Sequence, residues 1–200
     1  THTVYVRGDT GFATYVSEAT GTNAVGTMNS MGVGGYAGEF RQLGFSFNQG
    51  HASIPFQLNS HVDYTHNDVR MSYRFFFVYP TIAVSQTQFS VRREGAALTD
   101  LFDTSVGAGA RVEVPLAPFI MVGGEAMAYQ SNQSHDKTGR NATFGDRSES
   151  EVGASIDLTE SMLDLLLGYR MKSFDVQVED STYKESMSSP YAGLRLGIYF

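Results

Sequence analysis

The chain has 200 residues with no Cys and no Trp, 21 Gly, 14 Phe and 11 Tyr, and a formal net charge of −7. Lack of Cys excludes disulfide frameworks and thiolate metal sites, and the acidic balance, with Lys and Arg scattered, excludes a basic nucleic-acid surface. No long charged or Pro/Gly/Ser-rich linker divides the sequence, so residues 1–200 read as one domain.

Hydrophobic residues make up 42% of the chain, yet clear amphipathic helices are missing. The uncharged run Phe75 to Val91 contains Pro80, Ser85, Gln86, Thr87 and Gln88, too polar for a membrane helix. Gly and aromatic enrichment favours strands and turns. No basic, apolar leader starts at Thr1, so any secretory signal is expected to have been removed already.

In chain order, strands are expected near residues 3–16, 35–47, 53–64, 69–79, 82–92, 103–114, 118–130, 149–159, 162–178 and 190–200. That is ten; fusing or discarding 35–47 and 82–92 gives eight. In 35–47, Glu39 and Arg41 share a parity with Leu43, Phe45 and Phe47, which predicts a bulge at Gly44. The clearest alternation sets Ile54, Phe56, Leu58, Ser60, Val62 and Tyr64 against Pro55, Gln57, Asn59, His61 and Asp63. Past a turn at Thr65–Asp68, Val69, Met71, Tyr73, Phe75, Phe77 and Tyr79 oppose Arg70, Ser72 and Arg74, which reads as a hairpin. Later, Val152, Ala154, Ile156 and Leu158 oppose Glu151, Gly153, Ser155 and Asp157, and Leu165, Leu167, Tyr169 and Met171 oppose Asp164, Gly168, Arg170 and Lys172.

A large apolar outer face against a polar inner one fits a closed antiparallel transmembrane up-and-down β-barrel, all-β, with ten strands favoured over eight. Tight links are expected near 48–52, 79–81, 115–117 and 159–161. Long polar loops are expected at 17–34, 93–102, 131–148 and 179–189. Aromatic girdles are read in Tyr15, Tyr64 and Tyr129 on the loop side and in Phe47, Tyr79, Phe119, Tyr199 and Phe200 on the turn side.

The last strand, Tyr191-Ala-Gly-Leu-Arg-Leu-Gly-Ile-Tyr-Phe200, alternates to its final aromatic residue. It resembles the C-terminal signal of Gram-negative outer-membrane proteins, with Tyr191, Leu194, Leu196, Ile198 and Phe200 carrying the match. The resemblance implies recognition by the barrel-assembly machinery and insertion into the bacterial outer membrane, among outer-membrane lipids and lipopolysaccharide. It identifies an architecture comparable to the small OmpA- and OmpX-like barrels, not an activity.

The expected lumen set is Arg7, Arg41, Arg70, Arg74, Arg111, Arg170, Lys172 and Arg195 against Asp9, Glu39, Asp63, Glu113, Glu125, Glu151, Asp157 and Asp164. Near balance of sign predicts a charge-paired network closing most of the bore, since a buried ion without a partner costs several kcal/mol. A structural or interaction protein working through external loops follows, with a possible protein partner at the loop 131–148. The alternatives are a narrow polar pore or a lateral-gap conduit for small molecules, as in OmpW-like barrels, and an outer-membrane hydrolase. For the hydrolase, His61 and Asp63 share a strand face, as acid/base groups do in small barrels resembling omptin proteases. No nucleophile motif accompanies them, so no catalytic residue is assigned. No metal ligand set and no cofactor is expected.

Overall fold

Period-two sequence runs through ten strands: β1 (Thr3–Ser17), β2 (Thr22–Ala37), β3 (Leu43–Phe56), β4 (Ser60–Tyr73), β5 (Val78–Arg93), β6 (Ala96–Ala117), β7 (Ile120–Asp136), β8 (Ala142–Asp157), β9 (Leu163–Val178) and β10 (Ser181–Tyr199). They were defined in a computed structural model that describes residues 2–39, 42–56, 59–160 and 162–200. Each strand pairs antiparallel with its neighbour in sequence, and β1 closes on β10 from Thr3↔Tyr199 to Ser17↔Glu185, giving a closed up-and-down barrel. Because the number of strands is even, both termini lie at one end, here called the near end. Closure leaves no open sheet edge around this girth.

Ten is the expected number, but several boundaries differ from the sequence reading. The segment 17–34, expected as a loop, is mostly β2. The expected strand 35–47 instead straddles a reversal at Gly38, whose φ of 100° suits glycine, and the register of β3 against β2 and β4 is unbroken at Gly44. The expected strands 53–64 and 69–79 also straddle turns, while Thr65–Asp68 lies in the middle of β4. The expected tight links at 48–52 and 79–81 lie inside β3 and β5. The expected loop 93–102 shrinks to Glu94–Gly95, both at positive φ (51° and 83°), the geometry of a two-residue type I′ hairpin.

Strands of 14 to 22 residues exceed the roughly 9–11 that a membrane crossing needs, and the excess has its own chemistry. On β4 the outward residues run His61, Asp63, Thr65, Asn67, then Val69, Met71, Tyr73, while the inward ones run Val62, Tyr64, His66, Asp68, Arg70. Both faces change character at the same place. Along β4 the near-end side is apolar outside and polar inside, and the far-end side is polar outside and apolar inside. Strand β9 repeats this, with Leu167, Tyr169 and Met171 outward before Ser173, Asp175 and Gln177, and Arg170 and Lys172 inward before Phe174 and Val176. On β1 and β2 the outer face stays apolar at that height, with Phe12, Val16 and Val25 exposed.

The apolar outer belt includes Val6, Val33, Phe45, Phe47, Met71, Ile82, Val84, Val152, Leu167, Leu194, Leu196 and Ile198, all exposed on the barrel wall. It is the face a barrel turns to lipid. An arginine in this belt and one beyond it should therefore behave differently on the same strand face. Met71→Arg is expected to lower unfolding free energy by about 2–4 kcal/mol, and Asn67→Arg by about 0–1 kcal/mol, as measured by urea unfolding in lipid vesicles.

Candidate functional site

Three layers fill the bore. The far-end layer is an apolar core built from nearly every strand: Ala13, Tyr15, Met28, Ala52, Ile54, Val62, Tyr64, Phe89, Leu101, Ala142, Phe144, Phe174, Val176 and Met187. Phe174 is its centre, 1% exposed. Its ring stacks on Phe144 at 4.9 Å and Tyr64 at 5.4 Å and meets Phe89 edge-on at 5.1 Å, separations at which aromatic pairs attract. One acid enters this layer, Glu185, accepting hydrogen bonds from the Tyr15 hydroxyl (2.5 Å) and Ser17 Oγ (3.0 Å).

The middle layer is ionic. Arg70 bonds Asp68 and Glu125 and reaches Glu149 at 3.4 Å. Glu149 also takes Lys172 at 3.0 Å and Arg147 at 3.4 Å. Arg147 donates to Thr87 and to Ser85 (2.8 Å) and lies 4.0 Å over the Tyr129 ring. Lys172 also touches His66 at 3.1 Å. One same-face step along β8 and β9 toward the near end, Asp9 is shared by Arg170 and Arg7 (3.0 Å). Glu151 receives the Tyr191 hydroxyl at 2.6 Å and lies 3.5 Å from Arg7. The cations Arg7, Arg70, Arg147, Arg170 and Lys172 face the acids Asp9, Asp68, Glu125, Glu149 and Glu151, and a sixth acid, Asp103, 2% exposed beside Thr87, accepts from Ser131 Oγ. Ion pairing, with hydrogen bonds to the remaining acid, is what makes so much buried charge tolerable.

The near-end layer is looser. Arg111 donates to the Tyr36 hydroxyl at 2.5 Å, stands 4.6 Å over the Tyr79 ring and 3.5 Å from Glu113. Arg195 donates to Asp164 at 2.8 Å. Between these groups and the middle layer lies a polar cavity of about 170 Å³, with Tyr5, Arg7, Glu125, Glu151 and Arg195 in its wall.

The structure brings together, inside the bore, Arg7, Asp9, Arg70, Arg111, Glu113, Glu125, Glu151, Asp164, Arg170, Lys172 and Arg195. Arg74 sits past the end of β4, donating to the Phe76 carbonyl at 2.8 Å. Asp157 ends β8, accepting from the Thr159 N–H at 3.1 Å. Two residues of the expected set lie elsewhere. Glu39 is exposed in the β2–β3 turn, because the chain reverses at Gly38. Asp63 points outward, because β4 carries its apolar residues inward at that height. Arg41 falls outside the described residues.

His66, Asp68, Arg147, Glu149 and Tyr129 did not emerge from the sequence. His66 and Asp68 were read as turn and Arg147 as loop; extending the Glu151 parity back along the same strand would have found Glu149 and Arg147. The expected loop-side girdle is also displaced: Tyr15, Tyr64 and Tyr129 are 3%, 1% and 2% exposed inside the bore. Tyr79 is likewise buried, whereas Phe47, Phe119 and Phe200 are exposed as girdle residues are. The side chain of Tyr199 falls outside the described residues.

His61 Nε2 meets Asp63 Oδ2 at 3.0 Å, but on the outer wall, beside the β3–β4 turn, with both side chains about a third exposed (39% and 29%). An exposed pair of this kind contributes little. His61→Ala is expected to change stability by less than about 0.5 kcal/mol, measured by the same urea unfolding. Among the described residues no three His, Asp or Glu side chains converge as metal ligands.

A closed ten-strand barrel with an apolar outer belt, a charged bore and near-end termini defines the class: the fold is that of small outer-membrane β-barrels. Among solved structures, Neisserial surface protein A (NspA) aligns at TM-score 0.51 with 16% identity over 96% of each chain. The translocator domain of the autotransporter NalP from Neisseria meningitidis aligns at 0.49 with 11% identity, over 96% of this chain and 88% of that one. The outer membrane protease OmpT from Escherichia coli aligns at 0.48 with 8% identity, over 98% and 96%. At 16% identity the likeness to NspA is one of fold. No protein-family model and no curated protein matches the sequence.

Proposed function

We propose that the protein is a non-conducting barrel of the bacterial outer membrane, near end toward the periplasm, that works as an interaction protein through its far-end wall and turns. The observation that carries this reading is the apolar core around Phe174, which fills the bore at the height where the outer faces of β4 and β9 are already polar. A pore needs a continuous wet path; packed aromatic side chains give none, and the ion-paired layer lies directly behind them.

Outside that core the wall is polar on one strand after another: His61, Asp63 and Thr65 on β4, Gln86 and Gln88 on β5, Asp175 and Gln177 on β9. Connections at this end are short, so the surface offered to a partner is mostly ordered strand and not mobile loop. Such a surface meets a partner with little ordering cost.

Conductance in planar bilayers tests the reading. The purified barrel is expected to insert without producing steady openings. Stable openings would overturn it in favour of the narrow-pore alternative.

A further inference from the structure

The seam that closes the barrel, between β1 and β10, is interrupted once. Ladder pairs run from Thr3↔Tyr199 to Gly11↔Tyr191 and resume from Thr14↔Ser188 to Ser17↔Glu185, so Phe12 and Ala13 have no ladder partner across it. Pro190 stands at the break. It has no N–H to give, and its carbonyl accepts the Ser189 hydroxyl at 2.9 Å. A Cβ on Gly11 would collide with that carbonyl oxygen, so only glycine fits opposite. On either side of the seam pairing is unbroken: β1 stays with β2 from Thr3↔Tyr36 to Ser17↔Thr22, and β10 with β9 from Ser181↔Val178 to Leu196↔Leu163. Two intact hairpins therefore meet above Pro190 along four ladder pairs only.

One carboxyl ties those four pairs together. Glu185, on β10, accepts the Tyr15 hydroxyl at 2.5 Å and Ser17 Oγ at 3.0 Å, both from β1. Each of the three residues is 3% exposed. Beyond them Glu18 accepts the Lys184 N–H at 2.7 Å and gives its own N–H to the Lys184 carbonyl at 3.0 Å. No cation compensates Glu185. Opposite it on β9 is Phe174, and the groups facing it from β1 and the β1–β2 turn are Tyr15, Ser17, Glu18 and the Ala19 N–H. Among the described residues no Lys, Arg or His pairs with it. A buried carboxylate held by neutral donors alone is costly, and opening the seam to water relieves that cost.

We propose that the seam above Pro190 is an acid-tightened latch: protonation of Glu185 closes Thr14–Ser17 onto Glu185–Ser188, and its ionisation loosens them. The break at Pro190 is what confines the motion, since nothing in the β1–β10 ladder at Phe12 and Ala13 carries it further down the wall. Loosening parts the β1–β2 and β9–β10 hairpins and uncovers Ala13 and Met187, members of the apolar core around Phe174. The core is thereby reached from the side of the wall above the lipid belt, while the bore below it stays filled.

Electrostatics give the direction. Burial pushes the Glu185 carboxyl above its ordinary value and the Glu18 charge acts the same way; the bonds from Tyr15, Ser17 and the Ala19 N–H pull it back only in part. A carboxyl raised by folding holds its proton more tightly in the closed state. The closed seam therefore keeps its full stability below the ordinary carboxyl value and loses it as pH rises through the raised one. Asp136, at the β7–β8 tip, has the opposite tendency. Partial burial raises its carboxyl, but the Thr138 hydroxyl at 2.7 Å, the Thr138 N–H at 2.9 Å and the Asp100 N–H at 3.3 Å outweigh this and hold it below the usual value.

Hydrogen exchange of the full barrel in detergent, read by mass spectrometry and corrected for intrinsic exchange rates, tests this. From about pH 8 to about pH 4, across the carboxyl range, peptides spanning Phe12–Ser17 and Glu185–Pro190 should gain protection by at least about threefold. The β7–β8 tip should gain none. Glu185→Gln keeps both acceptor bonds without the charge, so its seam should be equally protected at both ends of the range. Ser17→Ala removes one donor to the carboxylate and should move the change to higher pH. Heat-modifiable gel migration confirms that both variants are folded. Seam protection that ignores pH in the wild type, a gain shared equally by all strands, pH dependence retained in Glu185→Gln, or an unmoved midpoint in Ser17→Ala would overturn the proposal. Bilayer conductance does not enter these readouts, so the latch and the non-conducting reading fail separately.

Discussion

Glu149→Ala is expected to lower the unfolding free energy by about 3–5 kcal/mol. Glu149 is the acid on which Arg70, Arg147 and Lys172 converge, at 3.4, 3.4 and 3.0 Å. Its removal does more than delete three attractions. It leaves Lys172 and Arg147 close together, 5% and 3% exposed, with His66 a poor substitute because it offers no negative charge. Truncating one member of a buried ionic set leaves the others desolvated and repelling one another, the costly arrangement. Adding Lys172→Met should restore about 0.5–3 kcal/mol of the loss, since neighbours in one network do not add independently. Urea unfolding of the single and double variants measures both. If the double variant were less stable than Glu149→Ala by the full effect of Lys172→Met alone, Glu149 and Lys172 would not be coupled.

This network also marks where sequence reading succeeds and where it stops. Sign and parity alone were enough to place Arg7, Asp9, Arg70, Glu125, Glu151, Arg170 and Lys172 on the inner face, because charge on a strand with an apolar opposite face has nowhere else to go. The inward–outward sense of β4 beyond Asp68 was not legible. Its alternation is regular from Ser60 to Tyr73, but the parity that is apolar near Tyr73 faces outward, whereas the parity that is apolar near Val62 faces inward. Between them all residues are polar, so Thr65–Asp68 imitates a turn. Had the polar face been assumed outward above the belt, His61 and Asp63 would have been placed correctly and Val62 and Tyr64 recognised as core.

Strand β2 was hidden for a different reason. It is assembled from small and polar residues, with Gly26, Gly32, Gly34 and Gly35 among them, and by composition that reads as loop. The structure shows why small residues are needed there. A Cβ on Gly26 would sit 2.2 Å from the Ser53 carbonyl oxygen, and one on Gly34 would meet the Tyr5 hydroxyl at 2.5 Å. Large inward side chains on the two adjoining strands, Tyr5 on β1 and Ile54 on β3, lean over β2, and glycine there makes room for them. Close approach of this kind depends on which strands become neighbours, which the order of residues does not announce.

Phe174→Ala tests the other closure of the bore. The ring is fully packed among Phe144, Tyr64 and Phe89, so truncation removes its contacts and leaves a cavity, and a loss of about 3–5 kcal/mol in unfolding free energy is expected. Conductance should behave differently from stability. Two closures lie in series, the aromatic core and the ionic layer of Arg70, Arg147, Glu149 and Lys172, so opening the first leaves the second across the path. Phe174→Ala is therefore expected to be less stable in urea yet silent in planar bilayers. The same logic keeps Glu149→Ala silent, because the aromatic core above it is untouched. Steady openings in Phe174→Ala alone would show that paired charges at this depth do not stop ions, and that Phe174 and its neighbours are the sole barrier in the bore.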